Sequence, residues 1–90
     1  MSNDFAECAS LFRCAQMASW LAESLVGKAR DDAYTIKRVI LCDLWQRFPH
    51  LLEVASDPQR PWDMGFTLPG VGGLHIPKQY LRTLSRPRAA

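Results

Sequence analysis

The first forty-eight residues contain no proline and a single glycine, Gly27, while all six prolines and the other four glycines lie between Pro49 and Ala90. The first half therefore lacks helix breakers, and the architecture is expected to change near Pro49. Cysteine is also scarce. Cys8, Cys14 and Cys42 are odd in number, widely spaced and set inside apolar patterns, which suits buried thiols and argues against a disulfide frame. Six residues apart on a helix, Cys8 and Cys14 are separated by about 240° around the axis and cannot share an ion, so no metal site is expected. Histidine is limited to His50 and His75, and neither has an acid or a nucleophile at a diagnostic spacing. Gly70-Val71-Gly72-Gly73 lacks the lysine and hydroxyl residue that complete a phosphate loop. These absences predict no catalytic residue, no cofactor and no enzyme.

Long apolar runs are missing as well. Leu11 to Val26 is interrupted by Arg13, Gln16 and Glu23, short of the ~20 residues that a membrane span needs. Asp4 stands where a secretory signal would carry a basic residue. The expectation is a cytoplasmic protein with no membrane partner.

What is present is a chain of 90 residues, 48% hydrophobic and 22% charged, enough for one domain over residues 1–90 with one modest core. Asp4 and Glu7 form a variant capping box, and Gly27 suits a helix C-terminus, so a first helix is expected from about Phe5 to Val26. Its buried arc comprises Cys8, Leu11, Phe12, Ala15, Ala18, Ser19, Ala22 and Val26. A second helix is expected from Asp31 and Asp32 to Phe48, with the stripe Ala33, Ile36, Ile40, Leu44 and Phe48 flanked by Tyr34, Leu41 and Trp45. Pro49 suits the start of a short third helix through Ala55. Phe66-Thr67-Leu68 and Leu74-His75-Ile76 alternate on either side of a glycine-rich turn, the pattern of a short hairpin within residues 64–76. Pro77 opens a last helix with Lys78, Arg82 and Arg86 along one side.

The fold class expected is mainly α: two long antiparallel helices, one or two short helices and a short β-hairpin. It divides into a helical core over residues 4–56, a Pro/Gly-rich segment over 57–76, and a basic helix and tail over 77–90. Charge follows the same division, with a net of −2 over residues 1–57 and +4 over residues 58–90.

Two helices of this length share one good interface, yet large apolar residues are in surplus. Met17 and Trp20 lie off the buried arc of the first helix, and Tyr34 and Trp45 widen that of the second. One destination for the surplus is the protein's own second half, with Trp62, Met64, Phe66 and Leu68 as covers. The other is an interface, because exposed aromatic residues beside arginine are typical binding anchors. The second reading makes Arg13, Met17, Trp20, Tyr34 and Trp45 the candidate partner-binding residues of a small non-catalytic regulatory protein of the inhibitor or adaptor type. A homodimer is expected, with the Leu11, Ala15, Ala18, Ala22 seam suited to close helix packing.

The alternative is a small DNA-binding transcriptional regulator that uses Lys78, Tyr80, Arg82, Arg86 and Arg88 on the basic C-terminal helix to neutralise phosphates. The string from Gly73 through Ile76-Pro77-Lys78 to Arg82 resembles the swapped-hairpin antitoxin and transition-state regulator family over about ten residues. That family builds its DNA-binding unit from short strands, whereas this chain opens with two long helices, so the likeness is not an assignment.

Overall fold

The computed structural model describes residues 3–78. Two helices, α1 (Asp4–Glu23) and α2 (Gly27–Arg47), are followed by three strands, β1 (Glu53–Asp57), β2 (Arg60–Leu68) and β3 (Gly72–Pro77). The strands form an antiparallel meander in the order β1-β2-β3. The helical hairpin packs on one face of this sheet, giving two layers around one core.

Both long helices form, with different ends: α1 has Asn3 as its N-cap, with no side-chain capping bond, and stops at Glu23 rather than Val26, and α2 begins at Gly27, so Asp31 and Asp32 lie inside the helix instead of capping it. Ser24 ends α1, its backbone N–H and its hydroxyl both donating to the Leu21 carbonyl, at 3.1 and 3.0 Å. Gly27 does not close α1; it opens α2 with φ +62°, the left-handed value that lets the chain reverse within three residues. Cys8, Phe12, Ala15, Ala18 and Ala22 are buried as the arc predicts, and Ala9 joins them. Val26, expected at the end of that arc, is 83% exposed.

The buried stripe of α2 is Ala33, Lys37, Leu41 and Leu44, rotated away from the expected one, and Ile36 is left 54% exposed. The rotation puts Leu41 wholly inside and brings Trp45 edge-on to Phe66 of β2, with ring centroids 6.4 Å apart.

The expected helix from Pro49 to Ala55 does not form. Residues after Pro49 make a turn, and Glu53–Asp57 pairs with β2 in the register Glu53↔Thr67 to Asp57↔Arg60. Pro49 suits a helix start, but a seven-residue helix offers less than a ladder against a strand already in place. The predicted hairpin is present, with Phe66 opposite Leu74, and it is the second half of a three-stranded sheet. Leu68-Pro69-Gly70-Val71 turns it: the Val71 N–H donates to the Leu68 carbonyl at 2.9 Å and Gly70 has φ +87°, a type II arrangement. Gly72, with φ +142°, sits against the side-chain amide of Gln16, where a Cβ would come within 2.7 Å.

Pro77 is the last residue of β3. Of the expected basic helix only Lys78 is described, and Tyr80, Arg82, Arg86 and Arg88 lie outside the described residues. No described helix is long and apolar enough to cross a membrane.

Candidate functional site

Two surface features arise from this arrangement. The first is the exposed apolar surface of the helical hairpin. Phe66 and Leu68 of β2 are buried against the hairpin at 2% and 0% exposure, so the second half of the chain does cover part of the apolar surplus. It does not cover all of it. Met17, Trp20 and Leu21 of α1 stand 58%, 71% and 53% exposed, and Ile36 and Val39 of α2 stand 54% and 63% exposed. Trp62, expected as a cover, is itself 64% exposed.

Arg13, Met17, Trp20 and Leu21 fall within about 100° of arc on α1, so three of the five predicted partner-binding residues share a surface. The other two are elsewhere. Tyr34 is half-buried on the sheet side of α2, and Trp45 is half-buried in the core against Phe66. The Leu11, Ala15, Ala18, Ala22 seam is not free for another chain, because its alanines are buried at 0–8% exposure against α2. The cysteines also part company: Cys8 is buried, Cys42 is half-buried and Cys14 is exposed, and none of the three is in a disulfide.

The second feature is a charged cleft of about 650 Å³ between the hairpin and the open side of β3. At its floor lies Lys37, only 6% exposed. Its ammonium donates to the Ser19 hydroxyl at 3.2 Å and to the main-chain carbonyl of His75, and it lies 5.7 Å from the centre of the Tyr34 ring. The lysine thus ties α1, α2 and the edge strand together at one point. Arg30 and Arg38 line the helical wall and Arg60 the strand wall, with Glu23, Asp31 and Asp63 between them. Asp63 is 9% exposed, and its carboxylate is 3.8 Å from Arg60. On the sheet, the His75 imidazole stands 3.4 Å from Asp57.

Sequence reasoning missed Lys37, because a lysine reads as a solvated residue. The signal was its spacing: four residues after Ala33, four before Leu41 and seven before Leu44, within the stripe that is buried.

Burial sets two titrations in opposite directions. It pushes the Lys37 ammonium below the ordinary lysine value, partly offset by the charge of Asp63, and it pushes the Cys8 thiol above its ordinary value, partly offset by Arg47. The unfolded Cys8 thiol ionises near pH 9.0 while the folded one stays protonated, so this group takes stability away as the pH rises through that range. Lys37 has the opposite sign: it contributes stability above the unfolded lysine value, 10.5, and that contribution is lost as pH falls through the lower folded value. Urea titrations between neutral pH and about pH 9.5 should show the unaltered chain losing stability relative to Cys8→Ala, whatever that variant's baseline cost.

Comparison with protein-family models, with curated proteins and with solved structures finds no match for this chain.

Proposed function

We propose that this protein is a small non-catalytic regulatory protein of the inhibitor or adaptor type, acting by protein-protein binding, and that it works as a homodimer joined through the outer face of the helical hairpin. The observation that supports this reading is apolar exposure on the hairpin: Met17, Trp20 and Leu21 on α1, and Ile36 and Val39 on α2, are each more than half exposed in a layer whose other side is already packed. A surface of this kind, in a domain with a core this small, gains by being covered.

Charge points to a second copy as the occupant. In an antiparallel pairing of α1 with its symmetry mate, a two-fold axis between Met17 and Trp20 sets Arg13 opposite residue 24 of the other chain. The C-terminal turn of α1 contains no basic side chain, so its carbonyl groups and helix dipole lack a cation of their own helix, and Arg13 of the mate supplies one. Both sheets then face outward, leaving the charged clefts and β1 for the regulated protein. The test is solution mass: Leu21→Glu, which sets a carboxylate in the middle of the face, should yield a folded monomer where the unaltered chain is a dimer. Equal masses for the two proteins would sink the reading.

The DNA-binding alternative rests on residues 78–88, of which Lys78 alone is described, and it makes its own prediction. Arg82→Glu with Arg86→Glu should abolish a salt-sensitive shift of duplex DNA if that reading is right. On the reading favoured above, only weak retention that disappears at physiological salt is expected.

A further inference from the structure

The cleft around Lys37 does not belong to the proposed dimer face and calls for its own explanation. Burying an ammonium is costly, and two hydrogen bonds, to Ser19 and to His75, hold this one in place. An ammonium has three donors, so a third remains beyond those two. Arg30, Lys37 and Arg38 of α2 and Arg60 of β2 line one concavity, four cations against the three carboxylates of Glu23, Asp31 and Asp63, of which Glu23 and Asp63 act on Lys37 itself. Its volume, about 650 Å³, lies in the range of small-ligand sites, and the half-buried ring of Tyr34 supplies an apolar wall.

We propose that this cleft is a binding site for a small polar molecule carrying one oxyanion group, a carboxylate or a phosphate, which is held by Lys37 with Arg30 and Arg60. Glu23, Asp31 and Asp63 share the walls and make a molecule of high negative charge a poor fit. They select instead a ligand whose remaining body offers hydroxyl or amine donors, as in a hydroxy acid, an amino acid or a sugar phosphate. Lys37 supplies the fixed charge, since its position is set by three separate elements. The arginines supply the planar, two-pronged contacts that oxyanions favour. Because Lys37 also bonds the edge strand to both helices, an occupied cleft stiffens the point where the two layers meet.

The experiment follows amide resonances of the full chain during titration with inorganic phosphate, with lactate and, as the cationic control, with putrescine. Saturable shifts centred on Tyr34, Lys37 and His75 with either anion support the site, and comparing the two shows which oxyanion it prefers. The double variant Arg30→Gln, Arg60→Gln alters two exposed side chains, and unchanged resonances in the core residues Phe12 and Leu44 check that the loss of Arg60 beside Asp63 leaves the fold intact. In it the affinity for the preferred anion should fall about tenfold or more, as expected on losing charge-assisted contacts. No saturable shift with either anion, shifts centred elsewhere, binding of putrescine instead, or unchanged affinity in the double variant would each overturn the proposal.

Discussion

Phe12→Ala should cost ~3–5 kcal/mol of folding free energy, whereas Trp20→Ala, only two turns along the same helix, should change it by about 0.5 kcal/mol or less. The contrast follows from position alone. The Phe12 ring is fully buried in the cluster formed by Cys8, Leu41, Leu44, Phe66 and Leu68, and its removal leaves a cavity that close-packed neighbours cannot fill. Trp20 is 71% exposed, so truncating it removes little that the single chain holds in place. A domain of this size has a stability of ~5–15 kcal/mol, so the Phe12 variant should lose a large share of it. Urea denaturation followed by circular dichroism measures both, at concentrations low enough to keep the chain monomeric. A large loss for Trp20→Ala would mean that the segment Trp62 to Leu68 covers it after all.

The second large effect concerns association. Trp20→Ala should weaken dimerisation by ~2 kcal/mol or more, roughly thirtyfold in dissociation constant, because a large aromatic residue near the centre of an interface is the usual anchor. Leu21→Glu should weaken it as well, since the carboxylate must be desolvated against the apolar side chains of the mate, a cost that Arg13 of the mate offsets only in part. Each change occurs twice in a symmetric dimer, which multiplies its effect. Sedimentation equilibrium over a concentration series measures both constants, and Trp62→Ala serves as the comparison. Trp62 is 64% exposed but lies on β2, off the helical face, so its loss should leave the constant unchanged.

How much of this was legible in the sequence depended on whether a residue's local pattern agreed with its tertiary environment. The α1 arc was readable because alanines, Cys8 and Phe12 recur at helical spacing with polar residues opposite. Met17 and Trp20 were readable as exceptions to it. The β2–β3 hairpin was readable because Pro69-Gly70 imposes its own turn on two alternating runs. β1 was not, because Glu53 and Asp57 leave Val54 and Ala55 as the only apolar residues between them, and its strand conformation comes from pairing with β2. The rotation of α2 was hidden too. Ile36 is apolar and Lys37 charged, and only the short edge strand, which offers the His75 carbonyl to an ammonium, reverses their usual places. Trp45 illustrates the remaining ambiguity: the same spacing serves an interface or a contact with Phe66, and the sheet decides for the contact.

The claim that the outer helical face is an interface between two copies is tested most directly by the mass of the unaltered protein in solution, measured by light scattering across a dilution series through the micromolar range. The account predicts twice the mass of one chain at the upper end, falling toward a single chain on dilution. The mass of one chain at every concentration would contradict it.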